Sequence, residues 1–142
     1  MKKWLIALLL ALPTLTFAQD VLDTGDTAWM MMSTALVLLM TPAGLALFYG
    51  GMTRSKNVLN TYAMVFGAFV VAFIVWIVAG YSIAFGTAES ASVQNVIGGF
   101  SHVMLSGISW NDLSGTYPTY VFVVFQGTFA AITVAIASGS VI

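Results

Sequence analysis

The chain has 142 residues, of which 60% are hydrophobic and only 6% charged, with a formal net charge of −1 and a mean hydropathy of +0.99. A soluble domain is about one-quarter charged, because water must solvate its surface, so a chain this poor in charge must turn an apolar surface toward lipid. Four Lys and Arg exclude a nucleic-acid footprint, and the absence of Cys excludes disulfides and thiolate metal sites. One His and five scattered acids offer no acid–base pair, metal cluster or activated nucleophile, so the sequence reads as no enzyme and calls for no cofactor.

Lys2 and Lys3 precede an apolar run over 4–12, and Thr16, Phe17 and Ala18 place small residues before a cut. This is the layout of a secretory signal peptide over 1–18, with an uncleaved signal anchor as the alternative. The run is short for a span, which needs roughly 20 apolar residues.

Three longer apolar segments follow, at about 27–49, 59–85 and 117–142, and none contains a charged residue or His. Each is long enough to cross as a helix, the form that satisfies its own backbone in lipid. Asp23, Thr24 and Asp26 supply caps and negative charge before the first span. Pro42 should kink it, with a neighbouring helix compensating the lost bond, and Gly50 and Gly51 can close its far end. In the loop before the third span, the stretch near 101–106 reads as a short helix. Thr116 and Pro118 mark the start of the third span.

Charges set the orientation. Arg54 and Lys56 lie between the first two spans, whereas Asp20, Asp23, Asp26, Glu89 and Asp112 lie before the first or between the second and third. Positive charge is retained on the cytoplasmic side, which places the mature N-terminus and the loop over 86–116 outside. A signal peptide demands the same arrangement. The expected location is the bacterial inner membrane, crossed several times, with the lipid bilayer as an obligatory partner.

Within the third span Gly127, Ala131, Ala135 and Gly139 recur every four residues and form a narrow small-residue stripe. In lipid such stripes admit close packing, so another helix backbone should lie against it. Ala46, Gly50, Gly67 and Gly80 are looser contact candidates. Phe125 and Phe129 stand one turn apart on roughly the opposite side. Two such rings either face lipid or a bundle core, or close a pathway, and spacing alone leaves both readings open. His102 and Asp112 fall in the outer loop and read as a solvated loop residue and as a loop or cap residue.

Three blocks carry a family resemblance. The run Ala46-Leu47-Phe48-Tyr49-Gly50-Gly51-Met52-Thr53-Arg54-Ser55-Lys56-Asn57-Val58-Leu59 resembles the first inner loop of the ammonium transporter family. Gly80-Tyr81-Ser82-Ile83-Ala84-Phe85-Gly86 looks like that family's second helix exit, and Phe125-Gln126-Gly127-Thr128-Phe129-Ala130-Ala131-Ile132-Thr133 is similar to its third helix. The resemblance implies an all-α integral membrane protein, here the first three transmembrane helices of an eleven-helix bundle that assembles as a trimer with one pore per subunit. It implies transport of ammonium or ammonia, with Phe125 and Phe129 as stacked rings blocking the outer end and Phe125 bordering a cation recruitment site. Phe48 and Tyr49 match positions near the inner mouth, and the family's P-II signalling partner binds its inner face. The family's pore histidines and its buried Asp belong to later helices, so His102 and Asp112 are not their counterparts.

Three helices cannot enclose an eleven-helix pore, and residues 138–142 supply no basic residue at the inner end. The sequence is therefore expected to be a fragment, inactive alone, of a transporting parent. Two other readings stay open: the membrane part of an ammonium sensor, and a small three-helix accessory protein.

Overall fold

The computed structural model describes residues 21–140, so the expected leader at 1–18 lies outside the described residues. Among those residues three helices are long and apolar enough to cross a membrane: α1 (Thr24–Met52), α2 (Ser55–Phe85) and α4 (Thr119–Ser138). A one-turn helix, α3 (Ala91–Gln94), and a small antiparallel hairpin of β1 (Leu113–Ser114) and β2 (Tyr117–Pro118) lie between α2 and α4. At a rise of about 1.5 Å per residue, α4 covers ~30 Å of hydrocarbon and the other two exceed it. The chain is an all-α membrane protein with several crossings.

Helix α1 starts where the acidic residues place it. Asp23 is extended and its carboxylate accepts the Asp26 N–H at 2.8 Å, satisfying a donor the first turn leaves over. Pro42 has no N–H to give, and the helix answers with a π turn over Met40–Leu45 before returning to α geometry over Ala46–Met52. The expected closure at Gly50 and Gly51 is not observed. Both glycines lie inside the last turns, and Thr53 is the cap. Gly50 is needed for close approach instead: a Cβ there would stand 2.3 Å from the Tyr62 ring of α2.

Helix α2 opens with a 3-10 turn at Ser55–Asn57, runs as α over Val58–Val75, and contains a second π turn at Trp76–Gly80. No proline announces this one. Helix α4 starts two residues later than the sequence suggests. Tyr117 and Pro118 pair with Leu113 and Ser114 around Gly115, whose φ of 71° suits glycine. The Thr119 N–H then donates to the Asp112 carbonyl at 2.9 Å, so the hairpin supplies a partner for the helix start. Near 101–106 the structure has only a 3-10 turn, Val103–Leu105, with Met104 and Leu105 at positive φ.

Helices α1 and α4 run in the same direction, tied at both ends. Asp23 N–H donates to the Thr116 carbonyl at 2.7 Å and the Thr116 hydroxyl donates to Asp26. At the far end the Tyr49 hydroxyl donates to the Ile136 carbonyl at 2.8 Å. Helix α2 runs antiparallel and makes the more extensive contact with α4. One apolar core joins all three helices through Ala46, Val65 and Ala135. A second gathers Trp76, Tyr81 and Val123 under Leu105 and Ile108 of the loop between α2 and α4. The buried threonine hydroxyls bond to their own helices: Thr34 to Met30, Thr41 to Val37, Thr61 to Asn57 and Thr128 to Phe125 carbonyls. Cohesion between the helices therefore rests mostly on packing, as lipid surroundings require.

Candidate functional site

The chemistry of this chain concentrates on α4, which has two unlike faces. On one, Gly127, Ala131 and Ala135 are buried. The expected approach to this stripe is made partly by rings rather than by backbone alone. A Cβ on Gly127 would lie 2.7 Å from Trp76 Cδ1 and 2.9 Å from Phe73 Cε2, and one on Gly139 would lie 2.5 Å from Tyr49 Cζ. Ala135, by contrast, meets Ala46 and Val65 at the junction of the three helices. Of the looser candidates, Ala46 is core and Gly80 meets Trp76, whereas a Cβ on Gly67 would have nothing within 4 Å.

Trp76 is held from both sides. Its indole N–H donates to the Val123 carbonyl at 3.0 Å, one turn before Gly127. Its ring meets Tyr81 and Phe85 edge-on at 6.0 and 6.2 Å. The π turn makes the Tyr81 contact possible. In a continuous α-helix, residues five apart are about 140° apart around the axis, but the wider turn brings them to one side. Phe85 in turn meets Phe122 of α4 at 5.0 Å.

On the other face of α4, some 200° from Gly127 by helix geometry, Phe125 and Phe129 do come together. Their ring centroids are 5.1 Å apart with planes at 73°. The rings therefore meet edge to face rather than stacked in parallel, the arrangement ring quadrupoles favour. Phe125 is half-buried, and Phe129 is 41% exposed. The Thr128 and Thr133 hydroxyls donate to the carbonyls of Phe125 and Phe129 at 2.6 and 2.8 Å. Those carbonyls already carry side-chain partners, so this face offers chiefly ring surface. Ring surface can attract a cation but cannot accept its proton.

At the opposite end of the bundle, Phe48 is exposed and Tyr49 half-buried, with ring centroids 5.6 Å apart. Tyr49 is committed to the Ile136 carbonyl and to the Gly139 contact, so its hydroxyl and ring join α1 to α4. His102 lies in the loop as expected, though half-buried rather than freely solvated. Its backbone N–H donates to the Ser82 hydroxyl at 2.9 Å and its ring Nδ1 lies 3.0 Å from the Ser106 carbonyl. Asp112 braces its loop by accepting the Ser109 N–H at 2.7 Å. Among the described residues no group of three His, Cys, Asp or Glu is placed to hold a metal ion.

Sequence reading passed over two residues. Trp76 could have been suspected, since a glycine inside a packed stripe asks for a bulky neighbour. Ser82 could not: its buried hydroxyl donates to the Gly99 carbonyl at 2.8 Å, a partner 17 residues away that no local pattern marks.

Comparison with known proteins bears on what this arrangement serves. A model described as the Ammonium Transporter Family matches residues 28–142. The ammonium transporter of Aquifex aeolicus (strain VF5) is 49% identical over 119 residues, covering 84% of this chain and 27% of that protein. The ammonium transporter of Mycobacterium tuberculosis (strain H37Rv) is 48% identical over 136 residues, and that of Bacillus subtilis (strain 168) 45% over 121, each covering 84% of this chain and 28% of its relative. The chain thus spans between a quarter and three-tenths of the length of these relatives.

Proposed function

The chain belongs to the ammonium transporter family, and from that premise we propose that its three helices form the outer aromatic part of a route for ammonium or ammonia. The route is completed by further helices, as in an eleven-helix bundle, in the protein that carries this sequence. The observation that supports this reading is the Phe125–Phe129 pair, edge to face at 5.1 Å on the side of α4 away from its Trp76 contact.

The physical logic runs from cost to geometry. A bare cation in hydrocarbon is expensive, whereas a small neutral molecule is not. Ring faces return ~0.5–2 kcal/mol to a cation, depending on desolvation. That suffices to concentrate ammonium at the outer end but not to carry a charge through a dry path. Phe125, the less exposed ring, borders the recruitment position, and Phe129 closes the route beneath it. Loss of the proton is left to groups on other helices.

The same reading orients the protein in a bacterial inner membrane. The acidic end, with Asp23, Asp26 and the hairpin, faces outward, and Arg54 and Lys56 face the cytoplasm. A signal peptide at 1–18 precedes the first span. Phe48 and Tyr49 stand near the inner mouth, the assembly is a homotrimer, and a P-II protein docks on inner segments outside this sequence.

The test is uptake of labelled methylammonium by cells whose only transporter is the natural protein carrying this segment. Phe129→Ala should change the rate or the preference between ammonium and methylammonium at unchanged protein level. Phe66→Ala, at an exposed ring on α2, should do neither. An unaltered rate and preference in Phe129→Ala would overturn the assignment of the pair.

A further inference from the structure

Between α2 and α4 a large ring and an absent side chain are fitted to each other. The indole of Trp76 is buried, its N–H is bonded to the Val123 carbonyl at 3.0 Å, and its Cδ1 and Nε1 occupy the space a Cβ on Gly127 would need. Val123 and Gly127 are one turn apart on a single side of α4. Phe125 and Phe129 are one turn apart on the other side, each two residues from Gly127.

We propose that Trp76 is the positioning residue of the Phe125–Phe129 pair: its indole, seated on Gly127 and bonded to Val123, fixes the roll of α4 and so the place of both rings. The proposal rests on the reading of that pair as the outer barrier of the route. A helix transmits roll rigidly. With side chains reaching about 5–6 Å from the axis, a 15° roll displaces a ring by about 1.5 Å, a large fraction of one van der Waals contact distance and so enough to alter the fit between two apposed rings. A small-residue surface alone permits α4 to roll, because Gly and Ala present little relief. A directional bond to one carbonyl does not. The π turn at Trp76–Gly80 contributes by holding Tyr81 against the indole edge at 6.0 Å, which keeps the ring from rotating about its own side-chain bonds. Phe73 touches the same glycine, with Cε2 2.9 Å from where a Cβ would stand, but as a hydrocarbon ring it makes no such bond.

The experiment uses the natural protein carrying this segment, with 4-fluorophenylalanine at position 129, and compares Trp76→Phe with Phe73→Leu. Trp76→Phe keeps an aromatic ring and removes the N–H. It should shift or split the fluorine resonance at 129 and lower maximal methylammonium uptake on the order of twofold to tenfold, with the amount of protein in the membrane unchanged. Phe73→Leu should leave both readouts near those of the parent. If Trp76→Phe does not accumulate, benzothienylalanine at 76, which replaces the N–H by sulfur at nearly the same shape, is read in the same way. A resonance and an uptake rate both unchanged without the N–H overturn the proposal, as does an equal response in Phe73→Leu, which would reduce Trp76 to general packing. If the parent takes up no methylammonium, the transport reading fails, and the fluorine comparison alone decides whether Trp76 positions the pair.

Discussion

Replacement of Gly127 by alanine is the sharpest test of how α4 is seated. The added methyl would begin 2.7 Å from Trp76 Cδ1 and 2.9 Å from both Phe73 Cε2 and Trp76 Nε1. Carbon atoms are best placed about 3.5–4.0 Å apart, so two rings of α2 must each retreat by close to 1 Å. Neither can do so freely: Trp76 is backed by Tyr81 and Phe85, and its N–H is spent on Val123. Overpacking of this kind costs about 1–3 kcal/mol, and an indole N–H left unpaired in a buried place about 1–3 more. The two overlap, because the shift that relieves the clash is the shift that breaks the bond. Alanine returns about 1 kcal/mol as the better helix former, so the expected net loss is about 1–3 kcal/mol. It is measured by denaturant titration in mild detergent micelles, followed by tryptophan fluorescence. Gly51→Ala is the control, since a Cβ there meets nothing within 4 Å and alanine is the better helix former by about 1 kcal/mol. A Gly127→Ala protein within about 0.5 kcal/mol of its parent would refute the seating described for Trp76.

Three further outcomes are expected. Tyr49→Phe removes the hydroxyl that donates to Ile136, but that carbonyl keeps the Gly139 N–H at 3.1 Å. The loss should stay near 0.5–1.5 kcal/mol in the same titration, and a larger one would mean the bond does more than join the ends of α1 and α4. Ser82→Ala deprives both the Gly99 carbonyl and the His102 N–H of a partner. Hydrogen exchange at His102 should then speed by roughly tenfold while amides in the body of α2 are unaffected, and unchanged exchange would show the loop to be held elsewhere. The sequence has no cysteine, so Ser55→Cys and Ser114→Cys can be labelled singly in intact cells. A membrane-impermeant thiol reagent should reach position 114 and not 55, and the reverse pattern would invert the proposed orientation.

The large features were legible because they depend on composition summed over many residues. Uncharged apolar runs gave the three crossings, and the Asp23 cap and the placement of His102 and Asp112 between the second and third crossings followed from local chemistry. Errors arose where a residue type has two uses. Gly50 and Gly51 resemble a helix stop, yet they lie within the last turns, and Gly50 admits the Tyr62 ring. Pro118 does mark the start of α4, as its cap, but it also closes a hairpin strand that no local pattern announced. The stripe on α4 correctly announced a close neighbour, but small residues cannot say whether backbone or a ring will arrive. Spacing put Phe125 and Phe129 on one side without setting the angle between them, because side-chain rotation is decided by packing. The Ser82 contacts with Gly99 and His102 had no signal at all, being long in sequence and short in space.

The extra residue in the turn at Trp76–Gly80 has a consequence for how this sequence can change. Removing one residue over 77–80 would let the turn close to α geometry, in which Trp76 and Tyr81 stand four residues apart and about 40° around the axis. Tyr81, Ser82 and Phe85 would then keep their side of α2. Helix α4 has no such slack: a single deletion within Thr119–Ser138 swings every later residue by about 100°.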